Sequence, residues 1–291
     1  DIYYTMSFGE IEVVSKNNGN PVLATLFKIK HGFVGKMREI LSEPQASLLA
    51  GLLVAGKDAM PKNILDEFRR AGVIHIVVLS GYNLTIIADS LRRFFFNVAP
   101  RFAVSASVGG IILFILMTGG EATVVRAGLM VLAVILAKSY GRQASSSRVL
   151  LSVAFLMVLQ KPKILVFDPS FQLSFLATLA LVYVAPLFEK YLSRVPERFG
   201  FRGMLGTTLA TQIVVLPYLI YSMENFSLIS LPANVLILLF IPYVMFIGFV
   251  ATLVGFVSFT LAIPFAYITH LILSYILFIS HYLGNLSFAT I

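Results

Sequence analysis

The chain has 291 residues, of which 58% are hydrophobic and only 12% are charged, and its mean hydropathy is +0.89. A soluble domain carries about 25% charged residues, so this composition excludes a soluble globular protein and predicts an integral membrane protein. The net charge of +8 does not by itself indicate a nucleic-acid surface, because membrane proteins carry basic residues on cytoplasmic loops. The absence of cysteine excludes a disulfide framework and a thiolate nucleophile.

Residues 1–30 alternate in the manner of a β-hairpin. The segments IEVV and VLATLFKI flank an Asn- and Gly-rich stretch at 16–20, and Asn and Gly supply the positive φ angles that a hairpin turn needs. The chain begins with Asp rather than Met, so we expect it to be a segment of a longer protein.

Residues 31–72 form a charged segment with a helical period. Apolar residues recur at helical spacing from Phe33, Ser42 with Gln45 resembles a capping box, and Pro61 and Gly72 are typical of a helix start and a helix end. Of the 36 charged residues, 17 lie in residues 1–72. We therefore predict amphipathic helices that lie at a membrane interface, because they are too charged to span it.

Residues 73–291 read as an all-α polytopic membrane domain with no Asp, Glu, Lys or Arg from Asn225 to Ile291. Several segments are shorter than the roughly 20 residues that a full span needs, so some are expected to be broken or re-entrant. The sequence predicts about eight membrane segments, at 74–92, 102–118, 123–139, 148–161, 170–188, 204–222, 231–254 and 262–284.

Basic residues are distributed unequally between alternate loops. The loops at 92–101, 138–148 and 189–202 hold ten basic residues, whereas the opposite loops hold Lys161 and Lys163. Loops rich in Lys and Arg stay in the cytoplasm. This asymmetry predicts that residues 1–72 and the C-terminus lie outside.

The first membrane segment is interrupted by the pair Ser80-Gly81, with His75 before it and Asn83 after it. A broken or re-entrant helix here exposes backbone amides and side-chain donors to a polar cavity. Alternatively, Ser-Gly is a small-residue helix contact and the polar side chains are satisfied by neighbours. The sequence leaves both interpretations open.

Arg126 lies about one turn into the third segment, after Glu121. An isolated arginine at that depth costs several kcal/mol unless it snorkels, forms an ion pair or contacts water. Snorkelling to the outer interface, pairing with Glu121 or Asp168, and contact with an anion remain alternatives.

The fifth segment begins with Asp168, which we expect to cap a helix, and carries Gln172 and Ser174 into that helix. Gln212 and Asn234 lie beside prolines, whose rings free backbone carbonyls that an amide can satisfy. We therefore interpret Glu121, Asp168, Gln212 and Asn234 as structural polar residues.

The sequence contains no HExxH, GxxxxGK[ST], GxSxG or dinucleotide-binding GxGxxG motif. The four histidines lack metal-ligand spacing, since His270 and His281 are about three helical turns apart. We expect no catalytic residue, no bound metal and no cofactor.

A set of short sequence pieces in a fixed order resembles the membrane core of the ComEC-type competence proteins. They are Gly51 to Gly56, HIVVLSGYN at 75–83, Val125-Arg126-Ala127, Gly141-Arg142, DPSFQLSFLA at 168–177, Thr211 to Pro217 and LPANVL at 231–236. The family usually has His at the position of Asn83, so only a hydrogen-bonding role carries over to this residue.

The resemblance implies a channel for single-stranded DNA in the bacterial cytoplasmic membrane during natural transformation. Family members carry an OB-fold domain before the membrane core, so residues 1–30 are expected to be its end. Many carry a nuclease domain after the core, which this chain does not include, so no enzymatic activity carries over. The sequence has no nucleotide-binding motif, so the driving force is expected to come from elsewhere, such as a cytoplasmic motor, a gradient or capture of the entering strand. An accessory DNA receptor and an external nuclease are further expected partners.

The combined hypothesis assigns the DNA pathway to specific residues. A polyanion crossing a membrane needs a hydrated path with spaced, weak cationic and amide donors. In this hypothesis Arg126 contacts a phosphate, and the path is lined by His75, Ser80, Asn83, Gln172 and Ser174. The alternatives are an ion-coupled transporter of a small solute and a membrane scaffold that transports nothing.

Overall fold

The structure is a computed structural model that describes residues 20–77, 84, 100–120, 122–139, 145–192, 201–223, 227 and 229–286. The described part of the chain contains no β-strand. Its helices are α1 Pro21–Ile40, α2 Gln45–Ala50, α3 Lys62–Arg70, α4 Ile74–Val77, α5 Pro100–Met117, α6 Ala122–Ser139, α7 Ser146–Gln160, α8 Ile164–Phe167, α9 Pro169–Leu179, α10 Ala185–Tyr191, α11 Phe201–Met223, α12 Ser230–Leu238, α13 Ile241–Val257 and α14 Phe259–Gly284.

The predicted β-hairpin over residues 1–30 is wrong in its second half, which forms the start of α1. Asn20 caps this helix through its side chain, which accepts a hydrogen bond from the amide of Val22 at 2.9 Å, and Pro21 occupies the first helical position. An Asn-Pro pair starts a helix as well as it makes a turn. Residues 1–19, which hold the predicted first strand, lie outside the described residues.

The segment formed by α2 and the helical turn after it lies inside the protein and not at its surface. Every residue of α2 after Gln45 is buried, and the chain continues as a π-helical turn over Gly51–Ala55. Leu49 packs so closely on α13 that a Cβ atom at Gly248 would lie 2.5 Å from its Cδ1. The predicted interfacial position within 31–72 therefore does not apply to residues 45–55.

The amphipathic helix α3 has the ends that its sequence predicts. Pro61 precedes it, Ile64 and Phe68 are buried, and Gly72 follows with a φ of +71°. The amide of Val73 donates to the carbonyl of Phe68 at 2.9 Å, which is the bond of a Schellman C-cap.

Helix α3 docks on the C-terminal end of α14. Glu67 pairs with His281 at 3.0 Å, and Arg70 donates to Asn285 at 3.1 Å. The backbone of α14 approaches equally closely, because a Cβ atom at Gly284 would lie 2.8 Å from the carbonyl oxygen of Glu67. The charged N-terminal part of the chain is thereby attached to the apolar part.

Among the described residues, fewer helices are long enough to cross a membrane than the sequence predicts membrane segments. In the described part of the chain three helical segments are long and apolar enough to cross a membrane, and a bent pair makes a fourth if it counts as one span. The three are Pro169–Tyr191, Arg202–Tyr221 and Phe259–Gly284, and the pair, bent by 43°, is Ser230–Leu238 with Ile241–Val257.

Three other predicted segments do form helices, but these are too short. Apolar helices cover Phe102–Met117, Thr123–Ala137 and Ser146–Gln160, and each falls below the roughly 20 residues that cross the hydrocarbon core. The prediction of about eight membrane segments, some of them broken or re-entrant, is therefore not supported within the described residues. Most of the predicted segment 74–92 lies outside the described residues.

Large apolar side chains cover the outer surface of α13 and α14. Phe246, Phe256, Leu261 and Phe278 are each more than half exposed. Such a surface is unfavourable in water and is typical of helices that face lipid. Together with the candidate spans, it shows that the chain is a membrane protein.

Candidate functional site

The structure describes most of the residues that the sequence selects for the DNA pathway and for structural polar contacts. Ser80 and Asn83, together with Glu121 of the structural group, lie outside the described residues. His75 lies on the short helix α4 with an exposed side chain. The remaining predicted residues surround two places, the start of α9 and the start of α12.

Arg126 is the most unusual residue at the first place. Its side chain is only 3% exposed, and its Nη1 atom has no hydrogen-bond partner within the described residues. The guanidinium carbon lies 6.0 Å from the centre of the Phe171 ring, so a cation–π contact holds one face of the side chain. A buried guanidinium with a free N–H group is prepared to bind an acceptor.

Asp168 faces the same region but caps a helix. Its Oδ1 accepts a hydrogen bond from the amide of Phe171 at 3.2 Å, and Pro169 occupies the first position of α9. The carboxylate acts electrostatically on Arg126. Within the described residues it forms no ion pair with Arg126 at 4.0 Å or less, so among these residues Asp168 acts on the guanidinium only at a distance.

Gln172 forms hydrogen bonds with both ends of its amide. Its Nε2 donates to the carbonyls of Leu165 at 2.7 Å and Val166 at 3.1 Å, and its Oε1 accepts from the hydroxyl of Tyr218. These bonds connect α8, α9 and α11. The amide is thus engaged in helix contacts, whereas the sequence suggested a pathway role.

Ser174, one turn before Thr178, is half-buried on α9. The hydroxyl of Thr178 donates to the Ser174 carbonyl at 2.8 Å. The structure therefore places Arg126, Asp168, Gln172 and Ser174 around the first turns of α9.

The second place is the junction of α11, α12 and the turn after α3. The Nε2 of Gln212 donates to the Oγ of Ser230. Gly72 lies against the same residues, because a Cβ atom there would be 2.4 Å from the Cβ of Ser230 and 3.0 Å from that of Ser227. Asn234 follows Ser230 by one turn of α12.

Buried oxygens without partners are concentrated at this junction. Gln212 Oε1, Ser227 Oγ and Asn234 Oδ1 form no hydrogen bond within the described residues. Sequence reasoning treated Gln212 and Asn234 as separate amides beside prolines and did not select Ser227 or Ser230. The signal was present, since residues 227, 230 and 234 are polar at helical spacing in a stretch without charge.

The described residues contain no group of three or more His, Asp or Glu side chains that is arranged to hold a metal ion. The chemistry available at both places is therefore hydrogen bonding and charge. The first place offers a buried cation and the second offers neutral oxygens.

Comparisons with known proteins identify a family. The model of the family described as Competence protein matches residues 52–291. ComE operon protein 3 of Bacillus subtilis (strain 168) is 23% identical over 232 residues, which cover 78% of this chain and 28% of that protein. The chain thus spans less than a third of the relative's length. No solved structure matches the chain.

Proposed function

The chain belongs to the competence protein family, and from this membership we propose that it forms part of a path for single-stranded DNA across the bacterial cytoplasmic membrane. The proposal goes beyond the family name, which states competence alone. The candidate spans and the lipid-facing surface support a position in the bilayer.

Arg126 is the observation that carries this proposal. Burial of an unpaired charge costs several kcal/mol, and a guanidinium binds phosphate oxygens through a planar fork. The Nη1 atom lies on a side chain that is 97% buried and has no hydrogen-bond partner in the described residues, which is explained if a phosphate group reaches it. A strand that slides must bind weakly at each point, and the nearby Asp168 carboxylate weakens anion binding at this position.

The path needs a source of work outside the chain. The sequence has no nucleotide-binding motif, so the proposal includes a cytoplasmic motor that pulls the strand. An accessory receptor that delivers DNA and an external nuclease that removes one strand complete the proposed set of partners. The chain itself is proposed to act as a channel core and not as an enzyme.

A non-transporting scaffold is the second candidate, and Gln172 favours it. All the bonds of this amide go to neighbouring helices, as expected of polar residues that hold membrane helices together. In a scaffold, Arg126 would affect stability and not the passage of DNA.

The test is the entry of a labelled single-stranded oligonucleotide into sealed vesicles that contain the purified chain. Duplex of equal length and empty vesicles are the controls, and only single strands should be protected inside. Arg126→Gln should lower entry about tenfold, because a charge-assisted hydrogen bond contributes about 1.5–3 kcal/mol. Arg126→Lys should retain part of the entry.

Arg69→Gln is the matched control, because Arg69 is an exposed arginine paired with Asp66 at 2.5 Å on α3. It should leave entry unchanged. Equal entry for wild type and Arg126→Gln, with normal insertion of both, would remove Arg126 from the path and favour the scaffold.

A further inference from the structure

The junction of α11 and α12 contains more unpartnered buried oxygens than any other place in the described residues. Ser227 and Asn234 are 7% and 8% exposed, and each has a side-chain oxygen without a hydrogen bond. The Oε1 of Gln212 is the third. Each unsatisfied buried group costs about 1–3 kcal/mol, so three together would remove a large part of the stability of a domain.

Contacts bring Gln212, Ser227 and Ser230 together, and helix register adds Asn234. Gln212 is bonded to Ser230 through its Nε2, and Ser230 and Ser227 both lie against Gly72. Asn234 is one turn further along the same helix face as Ser230. The group therefore occupies the space between α11, α12 and the turn that follows α3.

A fourth buried oxygen without a partner, that of Ser280, lies on α14 between two residues that contact α12 and the end of α3. On α14 the hydroxyl of Tyr275 donates to the carbonyl of Leu236 at 3.5 Å, and Gly284 lies against the backbone of Ala71. Ser280 lies between these two contacts, about 7.5 Å along the helix from Tyr275 at 1.5 Å per residue. It is fully buried, and its Oγ has no partner in the described residues.

We propose that Gln212, Ser227, Asn234 and Ser280 bind one water molecule at this junction. A water molecule donates two hydrogen bonds and accepts two. The two amide oxygens can only accept, and the two serine hydroxyls can donate. The bonding capacity of one water molecule therefore matches all four groups, and buried waters usually make two to four such bonds.

Charge argues against an ion as the occupant. No carboxylate is among the four groups, and a cation without a carboxylate is poorly balanced when buried. Ser230 is the first residue of α12, so the positive end of the helix dipole lies at the junction and repels a cation. An anion is disfavoured because two of the four groups are amide oxygens, which only accept hydrogen bonds.

Such a water would connect apolar helices to the end of an amphipathic helix. It would contact α11, α12 and α14 beside the Gly72 turn, at which the amphipathic α3 ends. A joint formed through water can shift at low cost, because water re-forms its bonds in a new geometry. This inference does not depend on the passage of DNA.

The test is the thermal unfolding of the purified chain in detergent. Ser227→Ala and Asn234→Leu should each lower the Tm, because each removes a hydrogen bond to the water. The double variant should lose less than the sum of the two single losses, since both changes release the same water. Ser280→Ala should show the same coupling to Asn234→Leu.

Ser107→Ala is the matched control. Ser107 is equally buried, but its hydroxyl donates to the carbonyl of Ala103 at 2.8 Å on the same helix. Its effect should add to that of Asn234→Leu without coupling. If Asn234→Leu does not fold, Ser227→Ala and Ser280→Ala provide the same cycle.

Two results would overturn the proposal. A Tm that is unchanged or raised in Ser227→Ala would show that the hydroxyl binds nothing, because removing an unsatisfied buried group stabilises the protein. A wild-type Tm that rises with Na⁺ but not with choline, and does not rise in Asn234→Leu, would show that the site holds a cation.

Discussion

Gly72 combines two constraints that can be separated by experiment. Its φ is +71°, and a Cβ atom would lie 2.4 Å from the Cβ of Ser230. Gly120 has nearly the same backbone conformation, with a φ of +70°, but nothing lies within 4 Å of the position of its Cβ. The pair therefore distinguishes backbone strain from steric overlap.

We predict that Gly72→Ala lowers the free energy of unfolding more than Gly120→Ala. Gly120→Ala should cost about 1–2 kcal/mol, which is the penalty of the left-handed conformation for an L-residue. Gly72→Ala should cost about 1–3 kcal/mol more, because α12 must move away from the new methyl group. Thermal or denaturant unfolding in detergent measures both losses of free energy. Equal losses would contradict the prediction, because they would show that Ser230 and α12 move away from the methyl group without a measurable cost.

At this scale the sequence was informative about single residues and not about their partners. Gly72 was predicted as a helix end because a glycine after a periodic apolar stripe is a local signal. Its contact with Ser227 and Ser230 joins positions more than 150 residues apart, and local patterns carry no information about such a contact. Arg126 was likewise selected from the sequence, but its contact with Phe171 was not.

Between elements, Gln172 connects the short helix α8 to α9 and to α11. The carbonyls of Leu165 and Val166 are at the end of α8, where helical partners are missing, and Gln172 supplies donors to both. The hydroxyl of Tyr218 donates to the opposite end of the amide. Tyr218 lies directly after Pro217, inside α11.

We predict that Tyr218→Phe lowers the free energy of unfolding by about 0.5–1.5 kcal/mol, the net contribution of one hydrogen bond. In a Gln172→Leu background the same change should have almost no effect, because the acceptor is already absent. A double-mutant cycle of thermal unfolding measures the coupling. Additive losses would contradict the bond and would return Gln172 to the list of pathway residues.

The sequence predicts the positions of the helices better than it predicts which of them span the membrane. Apolar runs after residue 100 do form helices, because composition alone keeps their backbone bonds internal. The second half of the hairpin predicted over residues 1–30 was wrong, since Asn20 and Pro21 start a helix in which partly buried residues recur at helical spacing. The prediction of about eight membrane segments is not supported in the described residues, because hydropathy selects short apolar helices such as Ser146–Gln160 as readily as spanning ones.

For the whole molecule, the asymmetry of basic loops makes a prediction about orientation. Loop 189–202 holds four basic residues and follows the candidate span Pro169–Tyr191. Under the positive-inside rule the C-terminal end of this span lies in the cytoplasm. Its N-terminal end, next to Asp168 and Arg126, then lies toward the outside.

The chain has no cysteine, so single introduced cysteines can test this orientation directly. Ser170 and Lys190 are exposed residues at the two ends of the span. We predict that a membrane-impermeant maleimide added outside intact cells labels Ser170→Cys and does not label Lys190→Cys until the membrane is permeabilised.

The direction of labelling also determines what Arg126 can do. If Ser170→Cys is labelled from outside, the buried guanidinium lies near the entrance of the proposed path, where it can capture a phosphate as the strand arrives. The reverse pattern would contradict the loop-charge argument and would place Arg126 near the cytoplasmic end. Arg126→Gln would then slow the release of the strand to a motor instead of its capture, and entry would become insensitive to the concentration of DNA outside.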